Sequence, residues 1–218
     1  ALSKRLGVNL MIKRDDLTGL AFGGNKVRQL EFYFGKILAN KADTVLITGA
    51  IQSNYTRVVA ACAAQLGLRC HILLEDRVPN VDETYRKNGN VLLDRLLGAS
   101  LHFCPSGESE ESIDARLSKI SSDLESQGYY PYVIPFGPKN PPIGALGYIK
   151  WAEELIAQSV KFDHVFLASG SGHTHAGVLF GLRALGWPGI VHGICVRREA
   201  SLQRSRVSAY CEQLSEML

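Results

Sequence analysis

The chain has 218 residues, 46% of them hydrophobic and 21% charged, a balance that fits one large or two small soluble globular domains with a sizeable core. Its net charge of +3, from 24 basic and 21 acidic residues, is too mild for a nucleic-acid partner, and no basic cluster is interleaved with aromatics. No apolar run approaches membrane-spanning length, which argues against a membrane partner.

The five cysteines, Cys62, Cys70, Cys104, Cys195 and Cys211, are odd in number and lack C-x-x-C or Cys/His ligand spacing. The sequence therefore predicts reduced, mostly buried thiols of an intracellular protein and no structural metal. The chain starts at Ala1 with no initiator Met or signal-peptide pattern and stops within a helical pattern near Leu218. A segment truncated at both ends is expected, which leaves localisation at cytoplasmic or mitochondrial.

Residues 9–13 read as a short apolar strand, and 14–19 as a polar loop in which Asp15 and Asp16 fit turn or cap roles better than metal ligation. The stretch Gly23-Gly24-Asn25-Lys26 comes next. Its glycines permit a tight turn and close approach to a ligand. An amphipathic helix over 27–39 begins immediately after it, with Leu30, Phe34, Ile37 and Leu38 at helical spacing. A lysine at a helix start is disfavoured by the dipole, so its amine is a candidate for a lowered pKa and for a Schiff base with an aldehyde or ketone. The plainer alternative is a surface lysine in a glycine turn.

Residues 44–48 form a buried-strand pattern ending at Gly49. Gln52-Ser53-Asn54-Tyr55 leads into an alanine-rich helix with Val58, Val59, Cys62 and Leu66 on its apolar face, closed by Gly67. Asn54 is the candidate helix cap. The pattern then repeats: strand 69–75, helix 90–97, strand 100–104, a long polar helix 108–127 with an acidic start, and strand 132–135. Phe136-Gly137-Pro138 follows. Further on come helix 145–158 (Leu146, Ile149, Ala152, Leu155 and Ile156 inward), strand 162–168, helix 174–185, strand 190–196 and helix 200–217. This alternation predicts an α/β architecture with mainly parallel sheets flanked by helices. The Pro/Gly cluster at 135–144 is the best candidate for a domain crossing.

Between a strand and a helix lies Ser169-Gly170-Ser171-Gly172-His173-Thr174-His175-Ala176-Gly177. Free amides at a helix N-terminus bind phosphate, and the Ser171 and Thr174 hydroxyls add donors. A plain strand-to-helix turn is the alternative. The dinucleotide fingerprint fails at His175, and the P-loop pattern over 19–24 fails at Asn25. His173 and His175 do not share a helix face, which argues against a metal pair. The absence of G-x-S-x-G weakens a serine hydrolase. The stretch 49–55 also sits between strand and helix, where polar groups can meet a cofactor and a substrate carboxylate. A phosphate cradle, a reactive lysine and a polar loop over a ring together suggest pyridoxal phosphate (PLP), which carries a phosphate, an aldehyde, a ring hydroxyl and an electron-sink ring.

On Lys13-Arg14-Asp15-Asp16-Leu17-Thr18-Gly19, Gly23-Gly24-Asn25-Lys26, Gln52-Ser53-Asn54 and Ser169-Gly170-Ser171, in this order and spacing, the chain resembles the ACC deaminase / D-cysteine desulfhydrase family of PLP-dependent enzymes. These have fold type II, the tryptophan synthase β-like fold. The resemblance implies two domains: a larger cofactor domain from 1–28 and 142–218, incomplete here, and a smaller α/β domain from 29–141. It implies Lys26 as the Schiff-base lysine and proton carrier, and Ser53 as a catalytic hydroxyl that meets the substrate carboxylate, alongside Gln52 and Asn54, and assists proton transfer. Asn54 would also donate to the ring hydroxyl, with Ser171, Gly172, His173 and Thr174 as the phosphate loop. Tyr55 is a further catalytic candidate; it stands where members often have His or Gln. His173 replaces a small residue, and Gln29 stands where many members have Lys near the phosphate.

The implied activity is a PLP-dependent lyase or deaminase on a small amino acid. D-cysteine desulfhydrase, giving pyruvate, sulfide and ammonia, is preferred to ACC deaminase, giving 2-oxobutyrate and ammonia. A homodimer is also implied. Two rival expectations are a non-catalytic PLP-fold binding protein and, more weakly, an NADP-binding domain using Arg197 and Arg198.

Overall fold

Strand and helix alternate along the chain because apolar β-branched runs are followed each time by a turn and an amphipathic helical segment. The computed structural model describes residues 2–104, 110–135, 137, 140–196 and 198–218. The predicted start of the long polar helix at Glu108, Phe136 and Pro138 of the Phe-Gly-Pro turn, and Arg197 lie outside the described residues.

The elements are α1 (Leu2–Leu6), α2 (Lys26–Ala39), β1 (Thr44–Ala50), α3 (Asn54–Leu66), β2 (Arg69–Glu75), α4 (Glu83–Lys87), α5 (Asn90–Leu96), β3 (Ser100–Cys104), α6 (Glu110–Ser126), β4 (Pro131–Val133), α7 (Leu146–Ala157), β5 (His164–Ser169), α8 (His173–Ala184), β6 (Ile190–Cys195) and α9 (Ala200–Met217). One sheet has four parallel strands in the order β3-β2-β1-β4, and a second pairs β5 with β6 in parallel. In the first sheet Thr44 pairs with Arg69 and with Pro131, which places β1 at the centre. Its first six residues are all buried, as expected for a strand covered on both faces.

On one face of that sheet, Leu30, Tyr33 and Ile37 of α2 and Val58, Val59 and Ala63 of α3 pack on Val45, Ile47, Ile72 and Leu74. On the other, Ile113 and Leu117 of α6 cover Leu46, Leu73 and Cys104. The second sheet is covered through Val165, Leu167 and Val191 by Tyr148, Trp151, Val178 and Leu182 of α7 and α8. Val207, Tyr210 and Leu214 of α9 join Ala145 and Ala176. The two halves meet where α2 crosses α7. A Cβ at Gly147 would overlap the carbonyl oxygen of Arg28, so this close approach requires glycine.

Several expectations are corrected. Residues 9–13 form no strand, and Val8, Leu10, Met11 and Ile12 are exposed; the run pairs with no sheet among the described residues. Leu38, Leu66 and Ile156 are 49%, 44% and 37% exposed, because each lies in the last turn of its helix, at the margin of the core. Tyr33, Tyr148 and Trp151 fill the interior instead. The short helices α1 and α4 carry no sequence periodicity long enough to announce them. None of the five cysteines forms a disulfide among the described residues, and only Cys70 and Cys104 are buried; Cys62 and Cys211 are half-buried and Cys195 is exposed.

Candidate active site

The turn before Lys26 is built by its own backbone. Gly23 has φ 68°, and a Cβ there would overlap the carbonyl of Asp16. The Thr18 hydroxyl accepts from the Gly24 N–H at 2.9 Å and also lies 2.9 Å from the Gly24 carbonyl. Below the turn, Arg28 donates to Asp15 (3.2 Å) and through both terminal nitrogens to Glu154 (2.9 and 3.0 Å). The Tyr148 hydroxyl lies 3.1 Å from Asp15 Oδ2 and 2.9 Å from the Asn25 carbonyl. Asp15 thus fastens loop, α2 and α7 together, while Asp16 forms a bidentate pair with Arg14. Among the described residues no group of three or more His, Cys, Asp or Glu could hold a metal ion.

Lys26 is the first residue of α2. No hydrogen-bond or ion-pair partner of its amine occurs among the described residues, and its Nζ lies 5.5 Å from the centre of the Tyr55 ring. Burial lowers its pKa from 10.5 to about 8, so about one amine in ten is free at pH 7, far more than for an ordinary lysine. A cavity of about 320 Å³ opens beside it, lined by Phe22, Gly23, Gly24, Lys26, Asn54 and Arg57.

The stretch after β1 contributes unevenly. Ser53, not Asn54, caps α3: its Oγ accepts from the Tyr55 and Thr56 N–H groups at 3.1 and 3.3 Å. Ser has two lone pairs and one proton, so what Ser53 has left to offer is a donor. Asn54 falls one residue inside the helix, so the expected cap shifts back by one position. The Gln52 amide donates to the Tyr85 and Asn88 carbonyls (2.6 and 2.9 Å), and its Oε1 accepts from Asn90 N–H (2.9 Å). That side chain anchors the segment between α4 and α5. Asn54 faces the cavity, and its Oδ1 accepts from Arg57 and Asn90. Burial raises the Tyr55 phenol well above its usual range, so Tyr55 stays protonated and can donate rather than act as a base.

The loop after β5 reaches the same place from the other half. Gly172, at φ 103°, opens α8, and no side chain among the described residues caps the first amides. Thr174 Oγ1 accepts from Gln29 Nε2 at 2.8 Å and from Asn25 Nδ2 at 3.3 Å, which ties the loop to the first turn of α2. Helix α9 backs the loop: Gln203 donates to the buried Ser169 hydroxyl (2.8 Å) and Arg206 to the Ser171 carbonyl (2.8 Å). His173 is buried edge-on against Tyr210, and its Nε2 has no hydrogen-bond partner among the described residues. Burial, with the charges of Lys26 and Arg206, lowers its pKa to about 3, so the ring is neutral. His175 turns to the Ser169 hydroxyl instead (3.0 Å), and the two histidines do not converge. Arg198 donates to the Gly170 carbonyl.

A family model described as pyridoxal-phosphate dependent enzyme matches residues 1–215. The chain belongs to this family. It is 43% identical, over its whole length, to a D-cysteine desulfhydrase of Yersinia enterocolitica, and 42% identical to one of Serratia proteamaculans. In each case it spans about 66% of the relative's length. Among solved structures, an ACC deaminase homologue superposes with a TM-score of 0.89 at 35% identity, covering 99% of this chain and 64% of that one. A threonine deaminase of Solanum lycopersicum shares the fold, with a TM-score of 0.68 at 20% identity, over 96% of this chain and 55% of that one.

The family's cofactor is pyridoxal phosphate, and the residues present fit it. The desolvated, unpaired Lys26 amine suits the aldehyde. The uncapped α8 amides, with a buried imidazole nitrogen lacking a partner beside them, suit an anion. Arg57, Asn90, Gln203 and Arg206 escape sequence reading: each acts through a side chain that meets the site only in the folded chain. The glycine-rich turns that they support were the only signal available.

Proposed function

We propose that this protein is a PLP-dependent carbon–sulfur lyase that converts D-cysteine and water to pyruvate, sulfide and ammonia. The single observation that carries this reading is Lys26. Its amine is desolvated and unpaired, beside a cavity that Asn54 also lines, on a helix tied to the α8 loop through Thr174. The similarity to D-cysteine desulfhydrases over the full chain supports the substrate class.

In this reading Lys26 is the covalent anchor, and the amides of 171–174, with the Thr174 hydroxyl and the neutral His173, hold the phosphate. When bound, pyridoxal phosphate supplies an electron-withdrawing ring that accepts the charge left at a substrate Cα. The Lys26 amine, with a pKa near 8, takes the Cα proton and returns one. Ser53 donates to the substrate carboxylate, and Asn54 to the ring oxygen. Tyr55, held neutral, donates toward the reacting centre. Gln52 contributes to substrate binding by holding the loop that carries Ser53 and Asn54.

The division into a cofactor domain (1–28 and 142–218) and a smaller domain (29–141) belongs to this reading, supported by the two separate sheets. So does a homodimer, which the family resemblance suggests and light scattering tests. Five cysteines, none in a disulfide among the described residues, support a reducing intracellular compartment. No helix among the described residues is long and apolar enough to cross a membrane.

The similarity to an ACC deaminase homologue favours ring opening of ACC to 2-oxobutyrate as the second reading. Purified protein loaded with pyridoxal phosphate is expected to show a visible absorbance band that borohydride removes and Lys26→Ala lacks. It should release pyruvate and sulfide from D-cysteine. Release of 2-oxobutyrate from ACC, with D-cysteine inert, would replace the first reading by the second. A band with no turnover of either would support a non-catalytic binding protein.

A further inference from the structure

We infer that Asn90, together with Arg57, is a positioning residue that fixes which way the Asn54 amide faces and so makes Asn54 a donor toward the cavity. The inference rests on the reading of Asn54 as the donor to the cofactor's ring oxygen. Neither residue is adjacent to Asn54 in the chain's logic: Asn90 opens α5, 36 residues on, and Arg57 lies one helical turn along α3.

Asn90 Nδ2 lies 2.9 Å from the Gln52 carbonyl, which can only accept. Asn90 Oδ1 lies 2.9 Å from Arg57 Nη1, which can only donate. These two contacts leave one orientation for the Asn90 amide. Its Nδ2 is then directed also at Asn54 Oδ1, at 2.9 Å, and Arg57 Nη1 adds a second donor to the same oxygen at 3.0 Å. Both lone pairs of the Asn54 oxygen are therefore taken. Only the Asn54 Nδ2 remains, on a side chain that lines the cavity beside Lys26. With the opposite flip, Asn54 would present an oxygen to the cofactor's electron-rich ring oxygen, and its own N–H groups would face two donors.

Arg57 also links this arrangement to the lysine turn. It is 91% buried by the 9% relative exposure of the residue, and its Nη2 lies 3.4 Å from the Gly23 carbonyl. Among the described residues its hydrogen-bond acceptors are the Asn54 and Asn90 amide oxygens and the Gly23 carbonyl, all neutral. The guanidinium thus holds the Asn54 amide and the Lys26 turn in one frame.

Asn90→Asp tests the inference, because the carboxylate matches the amide in shape but cannot donate to Asn54 Oδ1 or to the Gln52 carbonyl. In protein loaded with pyridoxal phosphate, the cofactor's dissociation constant is expected to rise about fivefold to tenfold, the scale of one hydrogen bond. The pH midpoint of the visible band is expected to rise by about one unit, since the ring oxygen loses a donor and the anchoring nitrogen holds its proton more tightly. Asn90→Ser, which is uncharged, should shift both in the same direction, and guards against an effect of charge or misfolding.

The deciding comparison is Asn54→Ala with and without Asn90→Asp. If Asn90 acts through Asn54, the double variant matches Asn54→Ala in both quantities. If Asn90→Asp and Asn90→Ser leave both unchanged while Asn54→Ala shifts them, the positioning role is refuted and the donor reading stands. Additive shifts in the double variant refute it as well. If Asn54→Ala itself moves neither quantity, the donor reading falls and takes the inference with it. A merely structural role would lower the melting temperature of the Asn90 variants without moving the pH midpoint.

Discussion

Gln29 and Thr174 join the two halves of the site through a half-buried hydrogen bond, Nε2 to Oγ1 at 2.8 Å. Gln29 is only 1% exposed and sits one turn after Lys26 on α2, while Thr174 is in the first turn of α8. The bond fixes the distance between the anchoring amine and the α8 loop. A neutral donor stands there, so this position contributes orientation rather than charge. Gln29→Leu keeps the bulk and removes the donor, leaving Thr174 with the longer Asn25 contact. Stability is expected to fall by about 1–3 kcal/mol, roughly 2–4 °C in melting temperature for each kcal/mol in a chain of this size. The affinity for pyridoxal phosphate should fall with it. Thermal melts and a fluorescence titration measure the two, and unchanged values in both would show that the bond does not set the geometry.

The Lys26 amine makes the apo protein less stable than it need be. Its folded pKa of about 8 lies below the unfolded value of 10.5, so folding disfavours the charged form. The penalty is fully present below pH 8 and disappears as pH rises toward 10.5. Lys26→Met should therefore melt higher than the native apo protein at pH 7, by an amount that shrinks between pH 8 and pH 10. The variant should also lack the visible band at every pH. A melting difference independent of pH would argue that the amine is not desolvated.

The alternation of strands and helices, and the two loops at the carboxyl ends of β1 and β5, were legible because they depend on local pattern: β-branched runs, glycines and hydroxyls at turns. The lysine was legible for the same reason. Which side chains point into the site was not. Gln52 looked equivalent to Asn54, yet its amide is spent on the carbonyls of Tyr85 and Asn88. The orientation of Asn54 depends on Asn90, whose nearness is a matter of tertiary packing. The core failed at its margins in a similar way. Periodicity marks the apolar face of a helix but not where its neighbours stop, so Leu38, Leu66 and Ile156 looked inward and lie exposed. Residues 9–13 have the composition of a strand without a partner strand, and pairing decides.

Gly23 is the position where the lysine turn should tolerate least. It combines φ 68° with backbone contact to Asp16, so an added methyl group meets a carbonyl that cannot move without disturbing the Asp15 network. Gly23→Ala is expected to lose about 2 kcal/mol or more of stability from strain and overlap together. It should also weaken the cofactor band at subsaturating pyridoxal phosphate. Gly24→Ala is the comparison: its φ of 124° strains any side chain, but no atom lies within 4 Å of an added Cβ. The Gly23 variant should be the worse of the two in thermal melts, and equal losses would assign the effect to backbone strain alone.

Asp94 gives the fold a pH dependence of its own. It is fully buried on α5, four residues after Asn90, with one oxygen 3.4 Å from the Thr56 hydroxyl and the other without a hydrogen-bond partner among the described residues. Burial raises its pKa from 3.8 to about 7, opposed by the Thr56 hydrogen bond and the charge of Arg57. Folding therefore favours the neutral acid, and its contribution to stability is present below the unfolded value and is lost as pH rises through 7. Asp94→Asn removes the ionisation at little change in shape. At pH 8 it should be more stable than the native protein by an amount on the order of 2–4 kcal/mol. At about pH 3.5 the two should differ little, and most of the gap should open between about pH 4 and 7. Chemical denaturation across that range measures it. A constant gap would mean that Asp94 is ionised throughout and held by Arg57, and the variant would then be the less stable protein at every pH.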